Sequence, residues 1–263
     1  VFPDACMLLV DTYDTLRSGV PNAIRVFEEL RAEGHEPVGI RLDSGDLAYL
    51  SKRARRMLDE AGFPDTVICA SGDLDEYLIA SLKNQGAKID LWGVGTKLIT
   101  SADMPSLGGV YKLSCLYPAG GGEVPKIKLS DNSDKITNPA FKDVWRIYDK
   151  KTGKAEADLI VVRGEVPDES KPLTIFHPKE TWKRTTFTDY TVRPLTVQVI
   201  RGGELAMPLP SLADVCAYAA REKESFWDEY KRNDNPHVYK VDLSQRLFDI
   251  KNQLIESIRG SHG

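Results

Sequence analysis

Histidine and cysteine are both scarce in this sequence, with four of each in 263 residues. The cysteines, Cys6, Cys69, Cys115 and Cys216, form no CxxC pair. That excludes the usual zinc-ligand spacing, and no metal-ligand set is expected. Cys6, Cys69 and Cys115 lie in apolar runs and read as small buried hydrophobes, and free thiols point to a reducing, cytoplasmic compartment. A surplus of basic charge is also missing. Lys and Arg number 35 against 39 Asp and Glu, a net charge of −4, so no nucleic-acid partner is expected. Lys126-Ile127-Lys128 and Lys183-Arg184 are short enough to be solvated surface. No apolar run approaches the ~20 residues of a membrane span, and no charged start leads into a signal-peptide core, so no membrane partner is expected. GxxxxGK[ST] and GxGxxG are absent, which removes the P-loop and the dinucleotide fingerprint. The sequence opens at Val1 without Met and enters an apolar run at Cys6. It reads like the middle of a polypeptide, and a preceding part is expected.

What is present begins with four short apolar runs: CMLLVDT (6–12), PVGIRLD (37–43), TVICAS (66–71) and IDLWGVG (89–95). They read as buried strands. Between them lie helical patterns at 20–33, 46–61 and 73–85, with Gly34, Gly62 and Gly86 as stops. This alternation predicts a parallel α/β sheet or part of a (β/α) barrel. After Gly108-Gly109 the pattern changes. VYKLSCLY (110–117) reads as a strand and KIKLS (126–130) as its hairpin partner across AGGGEVP. A second hairpin is expected over 143–165, and a further strand over 194–204. The tail reads as two helices, 211–232 with Ser211 as N-cap, and 242–260 starting near Asp242. Phe226, Trp227 and Tyr230 read as packing. The expected divisions are 1–109, a region of βα units; 110–205, β-rich and mostly antiparallel; and 206–263, C-terminal helices.

Parallel sheets and barrels bind ligands at the carboxyl ends of their strands. The residues standing there are Asp11 to Thr15, Arg41 to Asp46, Ala70 to Asp73 and Gly93 to Lys97. Gly93-Val94-Gly95-Thr96 suits phosphate, because glycines let backbone N–H groups approach an anion and Thr adds a hydroxyl. The other reading is a tight turn that needs glycine. If these are the last two strands of a barrel, Ser71-Gly72 would share that phosphate. Arg41 and Asp43 stand two apart and so share one side of a strand. Arg41 could take a carboxylate or phosphate bidentately, or pair internally with Asp11 or Asp43. Asp43 could accept ribose hydroxyls or orient a metal-bound diphosphate. Ser-Gly-Asp-Leu occurs twice, at 44–47 and 71–74. In both copies the aspartate, Asp46 or Asp73, reads as a helix N-cap. His35, His177, His237 and His262 all fall away from the strand ends.

Taken together, LLVDTYDTLRSGVPNAI, GIRLDSGDL, ASGDLDEYLI, WGVGTKL, KIKLSDNSDKITNPAFKDVWRIYD, FHPKETWKR and NPHVYKVDLSQRLFDIK resemble the nicotinate phosphoribosyltransferase family. The resemblance runs in order along essentially the whole chain. It implies an enzyme forming nicotinate mononucleotide and diphosphate from nicotinate and 5-phosphoribosyl-1-diphosphate, with coupled ATP hydrolysis, in NAD salvage. The implied fold is the later half of an incomplete (β/α) barrel of the type II phosphoribosyltransferase kind, followed by a β-rich region and C-terminal helices. Carried over residue by residue, Arg41, Asp43 and Asp11 resemble catalytic positions. Ser71, Gly72, Gly93, Val94, Gly95, Thr96 and Lys97 resemble phosphate-binding ones. Mg²⁺ is implied with phosphoribosyl diphosphate and ATP, no tightly bound organic cofactor is implied, and a homodimer is. The family's phosphorylated histidine and base-stacking aromatic lie upstream of VDTYDT and are not in this sequence, so the chain alone is expected to be inactive. Rival readings are a nicotinamide or quinolinate phosphoribosyltransferase, a non-catalytic phosphosugar-binding half or paralogue, and an unrelated phosphate-binding barrel.

Overall fold

The four apolar runs do pair side by side. A computed structural model describes residues 2–260, and the chain divides into two compact units, Val1–Gly109 and Val110–Gly263. His262 lies outside the described residues. In the first unit, β1 (Met7–Leu9), β2 (Gly39–Leu42), β3 (Val67–Ala70) and β4 (Leu91–Trp92) form a sheet in that order, every pairing parallel. Between them run α1 (Val20–Ala32), α2 (Leu47–Glu60) and α3 (Glu76–Asn84), and α4 (Thr96–Ile99) follows β4. Gly34, Gly62 and Gly86 all take positive φ just beyond the three helices, as their positions predict.

The sheet's two faces differ. Ile40, Leu42, Ile68 and Ala70 are fully buried and share a core with Val20, Phe27, Leu47, Ala54 and Leu58 from the helices. Each such side chain contributes about 1.5–3 kcal/mol by leaving water. On the alternate positions, Leu9 is in register with Arg41, Arg41 with Cys69, and Cys69 with Leu91. Register partners in a parallel sheet point the same way. This row therefore lies on the other face, where Leu9 is 53% and Leu91 50% exposed.

Asp46 caps α2, its carboxylate accepting the Tyr49 N–H at 2.9 Å. The expected cap at Asp73 is not there. Asp73 sits at φ +46°, whereas an N-cap needs extended backbone. Asp75, at φ −137°, does the job by accepting the Leu78 N–H at 2.8 Å. Of the cysteines read as buried, Cys69 is; Cys6 and Cys115 are only half-buried.

The second unit is a six-stranded mixed sheet. Before it, β5 (Cys115–Leu116) and β6 (Val124–Pro125) form a small hairpin. The expected strand over 110–117 thus shrinks to two residues, and its partner precedes KIKLS, because the turn closes within the glycine run. The main strands are β7 (Lys142–Asp149), β8 (Ala155–Val162), β9 (Leu173–Phe176), β10 (Arg184–Phe187) and β11 (Tyr190–Pro194). β7 and β8 make the hairpin expected over 143–165. The strand expected over 194–204 folds back on itself. β12 (Ile200–Arg201) pairs with β13 (Glu204–Leu205) across Gly202-Gly203, both at positive φ as a tight two-residue hairpin turn requires.

Ser211 caps α5 (Leu212–Ser225) with a reciprocal capping box to Asp214. The single helix expected over 211–232 breaks at Phe226 and Trp227, both extended, before α6 (Asp228–Lys231). Here the aromatics pack as expected: Phe226 and Tyr230 lie edge-on to Tyr239, and Trp227 Nε1 donates to Glu156 at 3.1 Å. Asp242 does not open the last helix. It belongs to β14 (Lys240–Leu243), and α7 (Gln245–Gly260) starts after it. The sheet order is β10-β9-β14-β8-β7-β11, with β14 parallel to β8 and antiparallel to β9. α7 closes a small core through Leu247 against Leu243, Val162 and Ala140.

Candidate active site

Three loops meet at the carboxyl ends of β1, β2 and β3. The chain leaves β2 at Leu42, so Arg41 lies on the face away from the core and Asp43 follows on the same side. Arg41 Nη2 donates to Asp43 Oδ1 at 3.0 Å, and Arg41 Nε donates to Ser71 Oγ at 2.8 Å. The Ser71 hydroxyl in turn donates to Asp43 Oδ1. The three side chains close a ring of hydrogen bonds across two strands. Asp11 stands just behind it. One of its oxygens, Oδ2, accepts both the Asp43 N–H and the Ser44 hydroxyl, each at 2.7 Å. Asp11, Arg41, Asp43 and Ser71 are therefore brought together, and Arg41 pairs internally with Asp43, not with Asp11.

The loops are pressed close by glycine. Gly72 sits at φ +91°, and a Cβ there would lie 2.3 Å from the Asp43 carbonyl oxygen. Only glycine permits both the conformation and the approach. On the far side, Gly93 N–H donates to Ala70 O at 2.7 Å, and a Cβ on Gly93 would come within 3.2 Å of the Ser71 Cβ. Gly93 thus joins the group directly. Val94 and Gly95 continue the loop and Thr96 opens α4. Lys97 turns to Asp75, 3.7 Å away, at the start of α3. A cleft of about 520 Å³ runs from Asp43, Ser44 and Gly72 towards Leu47 of α2 and Leu78 and Leu82 of α3.

Electrostatically the ring favours an ionised Asp43. The Ser71 hydroxyl, and after it Arg41, hold its carboxyl below the ordinary value against a smaller opposing effect of desolvation. Burial pushes the neighbouring Cys69 thiol up, with Arg41 opposing, so Cys69 is an inert thiol. Arg41 spends one edge of its guanidinium in the ring. Nη1 has no hydrogen-bond partner among the described residues, and the side chain is 48% exposed. That leaves an open cationic edge of the kind that takes a planar or phosphoryl anion.

The sequence alone assigns Ser44 no separate role. Its only sequence signal is its place directly after Asp43, because its partner Asp11 is 33 residues away. Three histidines have partners of their own: His35 bonds Asp4, His177 accepts the Lys179 and Glu180 N–H groups, and His237 packs on Tyr230. No group of three or more His, Cys, Asp or Glu among the described residues is arranged to hold a metal ion. No helix among them is long and apolar enough to cross a membrane.

Residues 141–251 match the family model for the nicotinate phosphoribosyltransferase C-terminal domain. A nicotinate phosphoribosyltransferase of Bacillus subtilis (strain 168) is 46% identical over 254 residues, 97% of this chain and 51% of that protein. One from Dictyostelium discoideum is 39% identical over 96% of this chain and 44% of its own length. Over nearly its whole length the chain is thus similar to nicotinate phosphoribosyltransferases. The crystal structure of human nicotinic acid phosphoribosyltransferase superposes with a TM-score of 0.76 at 29% identity, covering 96% of this chain and 47% of that one. The chain spans about half the length of the curated relatives it matches. The family model falls wholly within the second unit, whereas the Arg41 ring lies in the first, which only the longer matches to whole family members cover.

Proposed function

We propose that this chain carries the phosphoribosyl-binding part of a nicotinate phosphoribosyltransferase, acting in a polypeptide of its relatives' length. The reaction joins nicotinate to 5-phosphoribosyl-1-diphosphate, releasing nicotinate mononucleotide and diphosphate, with ATP hydrolysis coupled, in NAD salvage. The observation that carries this reading is the Arg41–Asp43–Ser71 ring at the mouth of parallel strands, in a chain whose relatives bear that name.

In this reading the open edge of Arg41 holds an anionic group of the substrates. The carboxylates of Asp43 and Asp11 oppose the positive charge that develops at the anomeric carbon as diphosphate leaves. Gly72 and the loop that Gly93 ties to β3 offer the backbone N–H groups of Gly72, Val94, Gly95 and Thr96 to the 5-phosphate, with Lys97 beside them. Mg²⁺ enters with the diphosphate and ATP as part of the substrates and neutralises the leaving group. The exposure of Leu9 and Leu91 at the two ends of the row through Arg41 and Cys69 supports the barrel reading, because parallel sheets bury both faces. The first unit then forms the later half of an incomplete type II barrel, 110–205 packs on the second domain, and 206–263 adds β14 to the sheet along with the closing helices. A cytoplasmic homodimer completes the proposal.

The test is steady-state turnover by the native-length protein with phosphoribosyl diphosphate and Mg²⁺. Nicotinate is expected to outcompete nicotinamide and quinolinate, and Arg41→Ala to lower kcat/KM by about 100-fold or more. A preference for either rival base, or an Arg41→Ala protein with unchanged turnover, overturns the assignment.

A further inference from the structure

We propose that Ser71 is a positioning residue of this site: its hydroxyl fixes the Arg41 guanidinium and the Asp43 carboxylate against each other and does not itself bind substrate. The sequence suggests a different job, a phosphate ligand beside Gly72. The hydrogen-bond count argues otherwise. A serine hydroxyl has one proton and two lone pairs. The proton goes to Asp43 Oδ1, and a lone pair takes Arg41 Nε–H at 2.8 Å. The Ser71 backbone N–H is spent on Leu42 O at 2.9 Å. The residue is 6% exposed, and a Cβ added to Gly93 would come within 3.2 Å of its own Cβ. It has no free donor for an incoming phosphate.

What Ser71 does have is a place on β3, a strand apart from its two partners. Arg41 and Asp43 are neighbours on one strand end, and their direct contact is a single bond from Nη2. A half-exposed arginine held by one bond keeps most of its rotamer freedom. The second bond, from Nε to Ser71, makes the guanidinium a two-point fixture and leaves its Nη1 edge in a defined place. Ser71 is also the largest influence keeping Asp43 ionised. The other charged groups bonded to this loop are Arg41 itself and Asp11, which holds the Asp43 backbone.

The catalytic consequence rests on the function proposed above; the ring does not. Both are read in the native-length protein with Ser71→Ala and the near-isosteric, weakly hydrogen-bonding Ser71→Cys. The Asp43 carboxyl is followed by carbon-13 NMR titration, assigned through Asp43→Asn. Its midpoint is expected to rise in both variants, and the acid limb of the kcat/KM profile to move up in pH with it. On the plateau a loss of about 10- to 100-fold is expected, carried by kcat more than by KM for phosphoribosyl diphosphate. An unmoved Asp43 midpoint overturns the inference, as does a rise in KM alone, which marks a substrate ligand. Wild-type turnover in Ser71→Cys with an unmoved midpoint reduces Ser71 to packing and also overturns it. A wild-type protein with no transferase activity overturns the proposed function instead, and the Asp43 titration then decides the positioning role by itself.

Discussion

Replacing Gly72 with alanine adds one carbon atom at the point where the loops after β2 and β3 touch. Two costs follow, and a second substitution separates them. The first is conformational: an L-residue at φ +91° gives up about 1–2 kcal/mol. Gly86 pays only that cost, because it sits at φ +73° with nothing within 4 Å of the added carbon. The second is steric: at Gly72 the new carbon would lie 2.3 Å from the Asp43 carbonyl, so one loop must move by roughly 1 Å. Overpacking of that kind adds about 1–3 kcal/mol. Native-state hydrogen exchange at the β3 amides reads both variants in the same unit. Gly72→Ala is expected to lose about 1–3 kcal/mol more than Gly86→Ala. Moving Asp43 by that distance also predicts about 100-fold lower kcat/KM, while Gly86→Ala keeps its activity. Equal stability losses in the two variants, or a fully active Gly72→Ala protein, would refute the close approach and the site built on it.

Two predictions concern the second unit. Arg146 donates to both oxygens of Asp158, at 2.8 and 3.1 Å, and both side chains are nearly buried. Arg146→Met leaves Asp158 with the Tyr239 hydroxyl and is expected to cost about 3–5 kcal/mol in urea unfolding; adding Asp158→Leu should recover most of it. Failure of the double variant to recover would place the loss in the Arg146–Glu222 pair, 3.1 Å apart, or in packing and not in an uncompensated Asp158. Lys251 is 5% exposed, with Nζ bonded to Asn138 Oδ1 and Pro178 O, each at 2.8 Å. Burial lowers its ammonium from 10.5 to about 8. Between those values the unfolded chain binds more protons than the native one, so this group makes stability rise with pH from about 8 towards 10.5. Subtracting the pH-stability curve of Lys251→Met should isolate that rise, and parallel curves would contradict it.

Much of the first unit was legible because its signals are local. Four strand runs, three glycine stops and the Asp46 cap all follow from neighbours in sequence. The two Ser-Gly-Asp-Leu copies show where that ends. They are identical in letters, yet Asp46 caps its helix and Asp73 does not. Gly45 and Gly72 both take positive φ, but in the second copy, where Gly72 presses on Asp43, Asp73 is at positive φ too and the cap is delayed to Asp75. No window around residue 73 contains that information. The same holds for the candidate site. Residue types at strand ends picked out Arg41, Asp43, Asp11 and Ser71. Which of them bond one another, and that Ser44 serves Asp11, depends on pairings 28 to 33 residues apart. In the second unit the glycine-rich stretches at 120–122 and 202–203 shorten strands that composition alone extends.

β14 escaped the sequence reading because four residues after a proline carry too little alternation to announce a strand. Its position has a consequence for how the molecule is made. The β9–β10 hairpin joins the rest of its sheet only through β14, on which Leu243 pairs with Phe176 while the whole strand pairs with β8. During synthesis, β7, β8 and β11 can assemble as soon as they leave the ribosome. β9 and β10 must wait as an unattached ribbon until residues 240–243 emerge and zip the two pieces together. The order of translation therefore leaves this sheet split until residues 240–243 are made, with the facing edges of β8 and β9 open to wrong partners in the meantime.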